Sequence, residues 1–514
     1  MPVVVLGNGP VGQSAALLLA RRGVPVVLLD QRARRDKVGS KSIVQQRDVL
    51  DIWASVGAGR RIADEGVTWT TARTFHRDRE LFSYTFAESG RPAFPPFVNI
   101  SQTRTEEILD ERIAAEPLIE VRWDHRVTGL TQDAGGVTLT CDGGGTIRAE
   151  YVVAFAGARG DAIRDLLGVT FDGRSFDDRF LICDIRTDLP GRATVRRFHF
   201  DPPWNPGRQV LIHPCPESTF RIDWQVPGDY DDEPEARDAR IRTVIGDRPY
   251  ELLWSSVYRF QSRIVDRMRV GRVLLAGDLA HLVAPFGARG LNSGVQDAEN
   301  AAWKLAFVRR GWAGDGLLSS YHDERHAAAV ENLDVTGATM RFLVPGTDEE
   351  RRHRLSTLER AATDPAAHAQ VDSGRLAEPF WYTDSPLTTP DPARAGTGRP
   401  PRGSLPPAGP GVLVPDAPVA VAGRRTRLRA LARDGFLLLT TDTAAAAAPS
   451  FGVAAAGVPV RLLSLPDIDR TGALTAALTA RPGELWVIRP DAHVAAVLRE
   501  PAVTAALRRA LGAG

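Results

Sequence analysis

The chain has 514 residues, of which 64 are basic and 63 acidic, for a net charge of +1. That length accommodates about two to four domains with substantial cores, and the charge balance excludes a general pull toward nucleic acid or a membrane surface. Three widely spaced cysteines (Cys141, Cys183 and Cys215) exclude a disulfide framework and a cysteine metal cluster; no apolar run approaches a membrane span and no leader pattern opens the chain, so a cytoplasmic protein is expected.

The chain begins with an apolar run over 3–6 that reads as a buried parallel strand. Gly7-Asn8-Gly9-Pro10-Val11-Gly12 follows. Next come a helical stretch over 13–22, a stop at Gly23, and a second strand over 26–29 that ends on Asp30. Gly7 allows the tight strand-to-helix turn, Gly9 lets a pyrophosphate approach the backbone, and Gly12 lets the helix lie close on the strand. The helix N-terminus, which begins at Pro10 and Val11, offers the free N–H groups that follow the proline and the positive end of its dipole to phosphates. Asp30 stands where an acid accepts hydrogen bonds from ribose hydroxyls. This unit predicts a dinucleotide site, and its position fits FAD as well as NAD. Gln31, Arg32, Lys41 and Arg47 belong to a polar, basic stretch that suits a pyrophosphate and equally a solvated loop.

An amphipathic helix is expected over 43–56, with Leu50 and Trp53 on its apolar face, and a strand-rich insertion over 67–100. A helix over 103–114 has Ser101 as its N-cap and Gln102 at its start, within reach of a bound cofactor. Strands are expected at 119–123, 127–131, 137–141 and 146–155; the last runs into Ala156-Gly157 beside the first unit. From 180 to 226, four β-forming segments separated by Pro and Gly turns predict an antiparallel sheet inserted into the nucleotide-binding domain. A strand over 272–276 then ends on Gly277-Asp278. Pro285-Phe286-Gly287-Ala288-Arg289-Gly290-Leu291-Asn292 opens a helix that continues to about residue 309. This is a second anion-friendly junction: Asp278 suits sugar-like hydroxyls, and the helix-start amides suit a carbonyl or an anionic ring. Helices over 321–342 and 348–362, a Pro- and Gly-rich linker over 385–410, and a small α/β unit with strands at 436–440, 458–464 and 485–488 complete the chain.

Together these motifs resemble those of the group A flavoprotein monooxygenases, which hydroxylate phenols and aromatic polyketides. GNGPVG with Asp30 matches the first FAD fingerprint of that family, Gly277-Asp278 with PFGARGLN matches the second, and Ser101-Gln102 resembles the glutamine placed near the flavin. Arg489-Pro490-Asp491-Ala492-His493 is similar to the thioredoxin-like tail of the phenol hydroxylase branch, here without CxxC. The resemblance implies a doubly wound α/β FAD-binding domain in two parts (1–175 and 266–384, the second with a helical segment). It further implies an inserted β-sheet substrate domain (176–265), a linker (385–410) and a thioredoxin-like domain (411–514). It assigns FAD to Gly7, Gly9, Pro10, Val11, Gly12, Asp30, Gln31, Arg32, Lys41, Gln102, Gly157, Gly277, Asp278, Pro285, Gly287, Arg289, Gly290, Leu291 and Asn292.

Three departures stand out. Ala156 occupies the place of the family's aspartate, and Ala154 that of a glycine; Ala284 stands for a proline; Ala288 and Arg289 replace glycine and glutamine. Arg289 pointing at the flavin would favour its reduced, anionic form; facing solvent it would not.

The function implied is NAD(P)H-driven monooxygenation: a C4a-hydroperoxyflavin formed with O₂ transfers one oxygen to an electron-rich ring. The inserted sheet offers His213, Arg221 and Trp224, with Pro285 and Phe286 from the loop, as substrate contacts. No phenolate-activating base is identified, although His213 and His281 are candidates. The same chemistry extends to Baeyer–Villiger insertion or epoxidation, and Ala156 keeps open a redox-inactive FAD-binding scaffold or carrier. No metal is expected, and the expected state is a monomer or homodimer.

Overall fold

The computed structural model of the chain describes residues 1–36, 39, 42–85, 92–394, 406–443, 457–499 and 503–513. Its first sheet has six strands in the order Arg269–Val270, Val273–Leu275, Tyr151–Ala154, Val3–Leu6, Val26–Leu29 and Ile119–Arg122. Five are parallel; the short edge strand Arg269–Val270 is antiparallel. Val3–Leu6, Val26–Leu29 and Tyr151–Ala154 are buried along their whole length, the pattern of parallel strands covered on both faces. The strand order reverses between Val3–Leu6 and Tyr151–Ala154, so the turns at Gly7 and Ala156-Gly157 open at the topological switch point, where α/β sheets bind ligands.

The second sheet has eight strands in the order His281–Leu282, Glu251–Val265, Phe171–Arg186, Thr219–Val226, Gln209–Cys215, Val195–Phe200, Thr71–His76 and Arg79–Thr85. The hairpin from the 67–100 region therefore joins the inserted sheet, through parallel pairing of Thr71–His76 with Val195–Phe200. Alternation divides this sheet into two faces. Val210, Ile212, Phe220, Ile222, Trp224 and Val226 pack under the helix Pro234–Ile245. Phe180, Phe198, Phe200 and Leu211 face the other way and cluster with Ala284, Phe286 and Met340. The inner face is thus pressed against the loop of the second glycine motif.

Two expected elements differ. The helix expected over 43–56 is a strand, Val44–Gln46, followed by the shorter helix Arg47–Ala54. The strand pairs with Phe97–Asn99, and Asn292 ties it from the opposite side, so a partner distant in sequence overrides the local helical period. The strand expected over 146–155 is two strands: Thr146–Ala149 belongs to a three-stranded antiparallel sheet and Tyr151–Ala154 to the parallel one.

In the C-terminal unit four strands lie in the order Val460–Ser464, Phe436–Thr440, Leu485–Ile488, Val494–Leu498, with the first pair parallel and the others antiparallel. It docks on the half that carries the two glycine motifs through buried charge. Glu324, on the helix Asp315–Leu343, accepts from Lys304 Nζ at 2.7 Å, Asn300 Nδ2 at 2.7 Å, Ser385 Oγ at 2.5 Å, and Arg489 Nη1 and Nη2 at 2.5 and 3.0 Å. Arg489 also donates to Asp491 at 2.6 and 3.1 Å, and Trp303 Nε1 donates to Asp491 at 3.2 Å. Burial alone would raise the Glu324 carboxyl, but Arg489 and Lys304 outweigh it and hold the group well below its ordinary 4.5. A second tie joins Arg433 to Glu299 at 2.6 Å and Asp51 at 2.7 Å.

Candidate active site

The first motif is built as its glycines require. Gly7 has φ +102°, and a Cβ there would sit 2.3 Å from Phe155 O. A Cβ on Gly12 would sit 1.8 Å from Gly7 O. Gly9 differs: a Cβ there would meet no protein atom within 4 Å. Gly9 is the N-cap of the helix Pro10–Arg21, with Pro10 at its first position, so free helix-start amides border an open cradle. Gly157, at φ +73°, is equally open. A pyrophosphate-bearing cofactor fits such a cradle.

Asp30 is buried; its carboxylate accepts from Asn8 N at 2.8 Å and from Arg32 N and Nε at 2.9 Å each. Burial raises the Asp30 carboxyl, but the bonds from Arg32 and Asn8 outweigh it and hold it below its ordinary value. Arg35, which the sequence reading passed over, donates to Asn8 O at 2.9 Å, Asn8 Oδ1 at 2.9 Å and Glu106 at 2.8 Å, and pairs with Asp110. It locks the helix Gln102–Ala114 to the first motif. Gln31 is exposed, and Lys41 lies outside the described residues. Gln102 bridges Ser42 N, at 3.2 Å, and Glu106, at 2.8 Å.

The second motif meets the first directly. A Cβ on Gly294 would lie 2.8 Å from the Val11 side chain, and one on Gly277 within 3.8 Å of it, so the helices Pro10–Arg21 and Arg289–Arg309 touch near their N-terminal ends. Gly277 N donates to Asp297 Oδ2 at 2.9 Å; the same carboxylate takes His281 Nε2 at 2.8 Å and Arg325 Nε at 2.6 Å. Burial would raise Asp297, but Arg325 and His281 outweigh it and hold it below the ordinary value. His281 is therefore bound into this scaffold. Asp278 is exposed, and its Oδ1 would lie 4.0 Å from a Cβ on Gly290 at the helix start.

Pro285 is exposed and Phe286 buried. Ala288, at φ +56°, caps the helix in a left-handed conformation. Leu291 packs against the core of the parallel sheet. Asn292 is a scaffold residue: its Oδ1 accepts Gln46 N at 3.0 Å and its Nδ2 donates to Val44 O at 2.9 Å and Ala288 O at 2.7 Å. Arg289 differs from the expectation that it faces flavin or solvent. Its buried guanidinium turns back under the loop to Phe286 O at 3.3 Å and Arg375 O at 2.8 Å. A Cβ on Gly287 would collide with it at 1.9 Å.

On the sheet, His213 and Arg221 are cross-strand partners on the inner face. Arg221 forms a two-pronged pair with Asp184, both bonds 2.8 Å. Trp224 is a correction: an odd number of residues along the strand from Arg221, it points to the outer face and packs under the helix Pro234–Ile245. Two inner-face groups escaped the sequence reading, Arg196 and Asp223; the alternation anchored on Arg221 carries the signal for Asp223. Gln46 also escaped it: it is 3% exposed, with both side-chain polar atoms unpartnered.

Among the described residues no cluster of metal-ligating side chains occurs, and no helix is long and apolar enough to cross a membrane.

Residues 1–336 match the profile of a family described as FAD binding domain. The chain is 31% identical over 349 residues to a 3-(3-hydroxy-phenyl)propionate/3-hydroxycinnamic acid hydroxylase of Mycobacterium sp. (strain JLS), a match covering 67% of this chain and 60% of that relative. It is 31% identical over 371 residues to the rifampicin monooxygenase of Streptomyces venezuelae, covering 70% of this chain and 75% of that one. In fold it is similar to the flavin-dependent monooxygenase PieE, solved with FAD and substrate, at a TM-score of 0.83, 24% identity and coverage of 100% and 99%. It is likewise similar to aklavinone-11 hydroxylase, solved with FAD and aklavinone, at a TM-score of 0.78, 24% identity and coverage of 99% and 98%.

Proposed function

The chain belongs to this FAD binding domain family, and from that premise we propose that it is a monooxygenase that inserts one oxygen atom of O₂ into a phenolic or aromatic polyketide-like substrate, with NADH or NADPH as reductant. The aromatic substrates named for its hydroxylase and monooxygenase relatives support this reading. Bound FAD would supply the hydride acceptor and the oxygen carrier. The Gly9 cradle, Asp30, Asp278 and the two helix starts would hold it, and the unpartnered Gln46 amide offers a donor and an acceptor to a ring edge.

One observation carries the proposal: the second motif's loop abuts the inner face of the inserted sheet. Phe286 meets Phe180 edge-on, with centroids 5.7 Å apart, and Met340 joins the same cluster. These side chains exclude water beside the cofactor loop, and the polar row on the same face orients a hydroxylated ring.

The test is FAD content and NAD(P)H oxidation by the full chain across a panel of phenols, with ¹⁸O₂ labelling of the product. A labelled ring hydroxyl is expected; a labelled lactone or epoxide would instead assign the Baeyer–Villiger or epoxidising variant. Protein that holds FAD yet oxidises neither nucleotide with any phenol would overturn the proposal in favour of a carrier, the outcome compatible with Ala156. Gly9→Val, whose added atoms enter the open cradle, should fold but lose FAD.

A further inference from the structure

The inner face of the inserted sheet carries more ionisable groups than its ion pair uses. Register aligns Asp184, Arg221, His213 and Arg196 in one cross-strand row, with Asp223 one step along on the strand of Arg221. Asp184 and Arg221 close on each other. Arg196 donates to Ser373 O at 3.2 Å and lies over the Trp69 ring. That leaves two buried atoms without a hydrogen-bond partner, Asp223 Oδ1 and His213 Nδ1. They stand diagonally across adjacent strands, since His213 pairs with Arg221 and Asp223 with Leu211; such positions are about 7–8 Å apart. A hydroxyl group placed between them reaches both.

This spot borders the flavin motif on two sides. Two residues beyond Asp223 on the same face is Gln225, whose cross-strand partner Phe180 touches Phe286 of the second-motif loop. Beyond His213, Arg196 holds Ser373, in the segment where an added Cβ on Gly374 would lie 2.9 Å from Phe286 and where Arg375 O takes Arg289. At the Asp184 end, Arg221 lies over Trp254, and a Cβ on Gly39 would come within 3.5 Å of the Trp254 indole nitrogen.

We propose that Asp223 is the proton acceptor for the phenolic hydroxyl of the substrate, with neutral His213 as the second hydrogen-bond partner of that oxygen. This rests on the monooxygenase reading above. In the step, the substrate O–H bond breaks, its proton forms a new O–H bond on the Asp223 carboxylate, and the electron pair stays on the phenolate oxygen, enriching the ring that receives oxygen. Arg196 and Arg221 face the developing negative charge. Asp184, in the same cross-strand row, is committed to Arg221, and Asp178 accepts from Gln225 at 2.5 Å. The state of the two groups suits these roles. Burial pushes the Asp223 carboxyl up to about 7; Arg221 and Arg196 oppose this and Asp184 adds to it. Burial, with Arg196 and Arg221, keeps the His213 imidazole uncharged. A base with a pKa near the working pH is the efficient one.

The experiment compares the FAD-loaded full chain with Asp223→Asn and Asp223→Glu, after checking that FAD content and melting temperature match. For a phenol from the panel that is oxidised, kcat/KM in the parent should rise with pH through an apparent pKa near 7. Asp223→Asn should lose that limb and about 10²–10⁴-fold in rate, and Asp223→Glu should restore the limb. An unchanged pH limb in Asp223→Asn overturns the assignment while leaving the monooxygenase standing. In parallel, 3-nitrophenol, a weaker acid still mostly neutral at about pH 7.5 where Asp223 is largely ionised, is titrated into each protein at that pH and followed by its phenolate absorbance. The parent should bind it as phenolate and Asp223→Asn as neutral phenol. Identical spectra, or no binding to the parent, overturn the proposal irrespective of turnover. Loss of FAD-dependent NAD(P)H oxidation in the parent instead marks failure of the functional reading.

Discussion

Two regions of the interior carry buried charge, and they are finished to different degrees. Around Glu324 and Asp297 every carboxylate is surrounded: Glu324 by Lys304, Asn300, Ser385 and Arg489, and Asp297 by Gly277 N, His281 and Arg325. On the inner face of the inserted sheet Asp223 Oδ1 and His213 Nδ1 are left without a partner. An unmet buried polar atom lowers stability, so a fold keeps one where something other than stability is gained. The cluster with paired carboxylates is scaffold, joining the second glycine motif to the C-terminal unit; its unpartnered atoms, Asn300 Oδ1 and His281 Nδ1, are not on carboxylates. As proposed above, a ligand completes the bonding of the unpartnered row.

The comparison is sharpened most by cutting the finished cluster. Arg489→Met strands Glu324 and Asp491 in the interior and should cost about 3–5 kcal/mol, read as a lower urea midpoint of the FAD-loaded chain. Asn292→Ala, at a neutral but fully used position, should cost about 1–3 kcal/mol and weaken FAD retention, because the tie between the Val44–Gln46 strand and the second helix start is lost. The two regions should also answer pH with opposite sign. Glu324 is held below its unfolded value of 4.5, so its contribution is present above that pH and is lost on acidification below it. Asp223 is held above its unfolded value of 3.8, so the folded chain keeps a proton that the unfolded chain has released, and stability falls as pH rises from 3.8 to about 7. Asp223→Asn should flatten that fall in urea titrations taken at pH 5 and pH 8; an equal slope in parent and variant would erase the distinction. As a baseline, Arg351→Ala removes an exposed partner of Asp348 and should change stability by less than about 0.5 kcal/mol.

Both glycine motifs were legible in the sequence because backbone geometry dictates them: Gly7 and Gly12 have no room for a side chain, and Gly9 borders open space. The inserted sheet was legible from its turns. What escaped depends on partners far away in the chain. The Val44–Gln46 strand exists because Phe97–Asn99 and Asn292 satisfy it, which no local period announces. Trp224 lies on the outer face because alternation puts Arg221 and Asp223 together and Trp224 opposite, which residue type alone does not announce. In the sequence Arg289 reads as a cation that faces either the flavin or solvent, and only the fold brings Arg375 O to meet it. Alternation from Arg221 places Asp223 on the inner face, but its significance comes from Asp184 having already taken Arg221, which only the fold shows.

The Arg489–Glu324 bond also bears on how the protein is made. Its two ends are 165 residues apart in the chain. At a translation speed of about 5–20 residues per second, the flavin-motif half emerges from the ribosome roughly 10–30 s before the arginine that completes its interior. During that interval Glu324 and Lys304 have each other, Asn300 and, once residue 385 has emerged, Ser385, and the surface that the C-terminal unit later covers is open to water and to other nascent chains. Slow codons or a bound chaperone over residues 330–480 would lengthen the exposure, so the yield of intact protein should depend on how the last third of the message is translated.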